Sequence, residues 1–281
     1  METNNNTLVE IPLEDWSKLR DLYENRKLES NSYNMIQNYI NWLKKDPSLK
    51  DLVKFYSLNG DWSDGTFVLE DNKIHIMMNT LSESQERLLT ALNCFDKKPS
   101  RSLCAVPLRI KQTIETYLID LGIEKESFKF SRTIWHHIDM KTALTFDTTP
   151  PKGITLSQLQ EEHIDTVNNV WPFRTTGSEV FVGRLIRFNQ SIGAFDENGK
   201  LISWCLTLPI GALGLLQVEE SHKRKGFGSL MVRCMAKMNA ERGVETIAPV
   251  VDENTASRAM FRGLGFQEID QVFWFHKPET E

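Results

Sequence analysis

Residues 223–228 read Lys-Arg-Lys-Gly-Phe-Gly, and an amphipathic pattern begins within them. Phe227, Leu230, Met231, Cys234, Met235 and Met238 recur at spacings of three and four, which predicts a helix stopped by Gly243. The first N–H groups of a helix have no partner inside it, and its dipole is positive at that end. Gly226 and Gly228 let a ligand approach this backbone closely, and Lys223, Arg224 and Lys225 add charge. The chemistry predicted is the binding of an anion the size of a sulfate or a diphosphate. The alternative is a solvated cation cluster. The pattern is neither a P-loop, because no Lys-Ser/Thr follows the second glycine, nor the Gly-x-Gly-x-x-Gly of dinucleotide folds.

Proton chemistry is sparse nearby. The preceding stretch Gly211–Gln217 holds no acidic residue, so Glu219, Glu220 and His222 are the nearest titratable groups. His136 and His137 are adjacent on an expected strand, point to opposite faces and cannot pair on a metal. Cys94, Cys104, Cys205 and Cys234 lie far apart among apolar residues, which predicts buried thiols in a reducing compartment, with no disulfide frame and no metal site. Trp171, Trp204 and Trp274 are expected in the core or in a pocket wall.

The elements that must position these groups form a mixed α/β pattern. Helices are predicted over 157–171 and 178–190, the second with Ser178 as N-cap. Strands flank a two-residue Asn198-Gly199 turn within 191–208. A mostly apolar strand at 211–218, as of a strand covered on both faces, leads into the glycine loop and its helix. A strand at 244–251, a helix from Asn254 and a last strand follow. Residues 12–137 repeat nearly the same order, with a Ser82–Gln85 capping box and with Cys104–Thr113 where a glycine loop is expected. The Thr-Thr-Pro-Pro-Lys-Gly run inside 139–159 separates the copies, giving domains at 1–145 and 150–281.

The chain has 281 residues, 33 basic against 38 acidic side chains and a net charge of −5, which argues against a globally basic nucleic-acid binder. No apolar run approaches the roughly 18 residues of a membrane span. The N-terminus lacks the basic-then-apolar pattern of a secretion signal, so the expected location is intracellular, cytoplasmic or mitochondrial.

Lys223-x-x-Gly226-x-Gly228 resembles the acyl-CoA pyrophosphate loop of the GNAT superfamily, written Q/R-x-x-G-x-G/A. Asn254, Ser257, Gly265 and Phe266 resemble its N-x-x-A/S-x-x-x-Y-x-x-x-G-F signature. HIDTVNNVWPFR, SIGAFDENGKLISWCL and VFWFHKP look like the C-terminal domain of the glycine N-acyltransferase-like branch. The resemblance covers 150–278 well and 1–140 in outline. It implies two tandem GNAT-like domains, the N-terminal one degenerate and helping to wall the acceptor pocket. It further implies that the strands 213–218 and 244–251 splay apart around pantetheine. Amides and side chains of Lys223, Arg224, Lys225, Gly226, Phe227, Gly228 and Ser229 hold the pyrophosphate. Val218 N–H lies at the thioester as the oxyanion donor, and Asn254 faces the CoA arm unless it only caps its helix. The family's glutamate base is missing from its strand. Glu219, next to the splay, is the candidate base, with a solvated strand-end carboxylate as the alternative. His222 either serves as base or neighbours the CoA phosphates. Phe261 stands where the family places a tyrosine acid. The implied activity is acyl transfer from acyl-CoA or acetyl-CoA to a small amine such as glycine, without a metal. The alternatives are a non-catalytic acyl-CoA-binding protein and an N-acetyltransferase acting on protein or other amines.

Overall fold

The computed structural model describes residues 6–29, 31–71, 75–95 and 102–276. Lys277 and Pro278 of the closing motif lie outside them. The chain divides into two compact units, Met1–Thr133 with Asp270–Glu281, and Ile134–Ile269. The Pro-Pro-Lys-Gly seam therefore lies inside the second unit. There Asp139 caps a short helix through Thr142 N at 2.9 Å, so the chain stays folded across the first part of the seam.

The first unit comprises β1 (Leu8–Glu10), α1 (Trp16–Leu22), α2 (Ser32–Lys45), β2 (Val53–Leu58), β3 (Phe67–Asp71), β4 (His75–Asn79), α3 (Glu86–Phe95), β5 (Ser102–Pro107), α4 (Lys111–Asp120) and the start of β6 (Phe130–Ile138). β1 to β4 are antiparallel neighbours, and β4 then pairs with β5 in parallel. A parallel neighbour needs a crossover, and α3 supplies it. Leu88, Ala91 and Leu92 of α3 and Ile114 and Tyr117 of α4 pack into one core with Val68, Ile76 and Val106. The crossover β4–α3–β5 makes residues 80–86 the counterpart of the glycine loop, rather than 104–113. That segment reads Thr-Leu-Ser-Glu-Ser-Gln-Glu and has no glycine. The Ser82–Gln85 box is not formed either, because α3 starts at Glu86 and the Gln85 amide is drawn away to Arg109 O at 2.7 Å.

The second unit adds α5 (Met140–Leu144), β7 (Thr155–Ser157), α6 (Ile164–Asn169), α7 (Ser178–Phe188), β8 (Ser191–Phe195), β9 (Leu201–Thr207), β10 (Leu213–Val218), α8 (Phe227–Ala240), β11 (Thr246–Val251), α9 (Thr255–Gly263) and the start of β12 (Gln267–Phe275). β7, β8, β9 and β10 form an antiparallel sheet with β10 at its edge, while β11 belongs to a different sheet beside β6. The apolar face of α8, with Leu230, Met231, Cys234 and Met235, packs onto Ile192, Ala194, Ile202 and Cys205.

Local chemistry shifts several expected boundaries. The helix expected over 157–171 shrinks to α6, because Gln160 and His163 cap each other and start a tight turn instead. The N-cap of α7 is Gly177 at φ +86°, and Ser178 is the first helical residue, its hydroxyl donating to Asn168 Oδ1 at 2.7 Å. The hairpin at Asn198-Gly199 is longer than two residues. Asp196 N–H donates to Lys200 O, Gly199 N–H donates to Asp196 O, and Gly199 takes φ +76°. The Asp196 carboxylate accepts from both Asn198 and Lys200 N–H, which favours this wider turn.

Candidate functional site

β10 ends as a strand with one side unpaired. Its sequence suggests full cover, yet Gly214–Val218 are only half-buried. The reason is topological, since β9 flanks β10 on one side and the next element in space, β11, hydrogen-bonds elsewhere. The register slips between Gly214 and Gln217, and Leu215 takes φ +48° there. Such a bulge bends a strand and re-aims its amides. At the strand's end Glu219 N–H donates to Ile202 O at 2.8 Å. N–H directions alternate along a strand, so Val218 N–H points away from β9.

A tight turn, Glu220–His222, connects this strand to α8. Arg224 then takes φ +60° and Gly226 φ +87°. Two residues of positive φ thus turn the chain immediately before the helix start, where free N–H groups and the helix dipole favour an anion. The first intrahelical bond of α8 runs from Leu230 N–H to Gly226 O at 3.0 Å. The N–H groups of Phe227, Gly228 and Ser229 therefore have no carbonyl within the helix. A Cβ on Gly226 would meet nothing within 4 Å, and one on Gly228 would lie 3.4 Å from Met260 Sδ and 3.6 Å from Val218 Cγ2. The bare backbone faces open space where the end of β10, the start of α8 and α9 meet. Lys223, Arg224 and Lys225 are exposed around it, Lys223 pairing with Glu220 at 2.7 Å. Phe227 is buried, and the His222 ring lies edge-on to it at 5.7 Å.

Asn254 caps α9, its Oδ1 accepting from Ser257 N–H at 3.0 Å. Phe261 is 4% exposed, its ring held between Phe266 at 5.0 Å and His136 at 5.5 Å. The position that would carry an acid is thus an apolar ring in the core. His136 is fully buried, with Nδ1 at 3.0 Å from Ile134 O, and burial holds its imidazole below the usual histidine pKa. His137 faces the other way and bonds Glu245. Burial pushes the Cys205 thiol up to about 12 and Cys234 to about 11, which rules them out as nucleophiles at neutral pH. Cys94, expected inside, is exposed at the end of α3. Trp204 is buried, whereas Trp171 stacks on Phe181 at 5.4 Å and stays half-exposed.

Glu219 meets a partner that spacing does not reveal. Its Oε2 accepts from Lys200 Nζ at 2.7 Å, from the turn between β8 and β9. Three features of the site had no sequence signal: this pair, the bulge at Leu215 and the left-handed Arg224. Among the described residues no group of three His, Cys, Asp or Glu could hold a metal ion, and no helix is long and apolar enough to cross a membrane.

Residues 191–275, from β8 through β12, match the family model described as FR47-like protein. A 73-residue stretch is 34% identical to aminoglycoside N(6')-acetyltransferase type 1 of Acinetobacter haemolyticus, covering 25% of this chain and 50% of that one. Part of the chain is thus similar to an FR47-like family model and to an N-acetyltransferase. The chain spans half the length of that curated relative. A Drosophila protein solved as a structural-genomics target has the same fold at TM-score 0.87 and 21% identity, over 98% of this chain and 100% of that one. A tandem GNAT protein from the clavulanic acid biosynthesis pathway aligns at TM-score 0.57 and 12% identity, over 99% and 100%. The fold is two tandem GNAT-like domains in mixed α/β architecture, the N-terminal one lacking the glycine loop.

Proposed function

We propose that the chain is an acyl-CoA-dependent N-acyltransferase that passes an acyl group, acetyl included, directly to a small amine such as glycine or another amino acid. The observation that carries this reading is the edge position of β10, with β11 in the other sheet, together with a start of α8 whose first amides have no carbonyl partner in the helix. An extended pantetheine suits the open edge of β10, and a diphosphate suits the amides of Phe227, Gly228 and Ser229 beside Lys223, Arg224 and Lys225. The acetyltransferase relative supports an amine acceptor. The proposed domains are 1–145, degenerate, and 150–281, catalytic. A reducing intracellular compartment, cytoplasmic or mitochondrial, accords with the free thiols of Cys94, Cys104, Cys205 and Cys234.

In the transfer, the amine nitrogen attacks the thioester carbon, and Val218 N–H stabilises the developing oxyanion. Glu219 accepts the proton that the nitrogen sheds. The C–S bond then breaks and CoA leaves as a thiolate, a tolerable leaving group without an acid at Phe261. Asn254 borders the CoA arm while capping α9. The test is free-thiol release over a panel of acyl-CoAs and amines. Glu219→Gln is expected to lower turnover at least tenfold (about 1.4 kcal/mol) with CoA affinity intact, and an unaltered rate clears Glu219 of the base role. A second reading, a non-catalytic acyl-CoA-binding protein, is favoured by the buried Phe261 and by a β10 without carboxylates. CoA binding without thiol release across the panel would select it.

A further inference from the structure

We propose that Lys200 is a positioning residue for Glu219, an inference that rests on the acyltransferase reading above. Both partners are anchored through their backbones. Glu219 donates its N–H to Ile202 O at 2.8 Å and accepts at its own carbonyl from His222 N–H at 2.9 Å. Lys200 donates its N–H to Asp196 Oδ1 at 2.9 Å and accepts from Asp196 N–H at 3.0 Å, in the turn closed by Gly199. Only the side chains are left to choose, and they meet at 2.7 Å through Nζ and Oε2. The Glu219 side chain is 26% exposed against 60% for Lys200, so the pair is partly shielded on the carboxylate side. Among the described residues no other group pairs with this carboxylate, which leaves Oε1 as the oxygen that takes a proton. Of the loop's three cations, Lys223 is bound to Glu220, whose side chain is 88% exposed. The charged and titratable groups that follow Glu219 along the chain are Glu220, His222, Lys223, Arg224 and Lys225, and Lys200 reaches it from the β8–β9 turn.

The arrangement gives the Asp196–Lys200 turn a function. It clamps one carboxylate oxygen and fixes the rotamer of a side chain at a strand end. As the N–C bond forms and the C–S bond breaks, the proton lost by the amine nitrogen moves to Oε1 and from there to water. CoA departs with the sulfur's electron pair.

The experiment is thiol release by the full chain with kcat and KM separated, in wild type, Lys200→Met, Lys200→Arg and Glu219→Gln. Lys200→Met frees the Glu219 rotamer, so kcat should fall while the KM for acyl-CoA stays unchanged. The fall should be several-fold, with CoA affinity unchanged by calorimetry. Lys200→Arg should restore kcat, and the Lys200→Met effect should vanish in the Glu219→Gln background. A kcat that stays put in Lys200→Met, or an equal loss in the Glu219→Gln background, overturns the positioning role while the acyltransferase reading stands. Absence of thiol release from wild type with every acyl-CoA and amine overturns both.

Discussion

Gly226 and Gly228 are the residues at which the site is most exposed to single changes. Gly226→Glu or Gly228→Glu would put a carboxylate in the proposed anion cradle, and the open space beside Gly226 leaves that side chain room to do so. CoA affinity should fall by at least about tenfold in calorimetry, or 1.4 kcal/mol; unchanged affinity would refute the cradle. Gly226→Ala separates conformation from charge. At φ +87° an alanine is strained, so the variant should lose about 1 kcal/mol in denaturant unfolding. His136 gives a pH-linked prediction of a different kind. Its imidazole is held below the ordinary histidine value by burial, despite Glu268 Oε1 at 3.6 Å, and the Arg258 guanidinium nearby also opposes its charging. The unfolded chain then binds this proton at higher pH than the folded one. Its contribution to stability is full above about pH 6.5 and is lost as pH falls below that value. Unfolding free energies at pH 7.5 and 5.5 should differ less in His136→Gln than in wild type.

At the scale of elements, the proposed anion site depends on a helix start and on the strand before it. Because α8 supplies amides and Lys223, Arg224 and Lys225 supply exposed charge, CoA affinity should weaken steadily as ionic strength rises from about 0.05 to 0.5 M; salt-independent binding would move the ligand elsewhere. α9 is secured by one side chain at its start. Asn254→Ala removes the bond to Ser257 N–H and should lower stability by about 1 kcal/mol in thermal or denaturant unfolding. Helices α7, α8 and α9 and strands β8 to β12 stand close to their sequence patterns, because apolar spacing and glycine stops act within a few residues. What failed was local competition. Gln160 and His163 replaced a helix start with a tight turn, and Gln85 left its capping role for Arg109 O. Such bonds pit one polar group against another, and residue spacing does not rank them.

For the whole molecule, the two crossovers differ where binding is concerned. Residues 80–86 between β4 and α3 contain Glu83 and Glu86 and no glycine, while 219–226 contain the cations and Gly226. Negative charge and Cβ atoms at a helix start exclude a phosphate, so titration should saturate at a single CoA per chain; two equivalent sites would contradict the loss in the first unit. The residues themselves determined the α/β order, the repeated architecture, the cation–glycine loop and the Asn254 cap, because each is written in neighbours a few positions apart. Only the tertiary structure decided that β10 and β11 lie in different sheets, that Leu215 bulges, that Phe261 turns into the core beside His136, and that Lys200 reaches Glu219. Those outcomes depend on which strands pair and in what register, and pairing is settled by burial summed over the whole chain rather than by any short stretch of it.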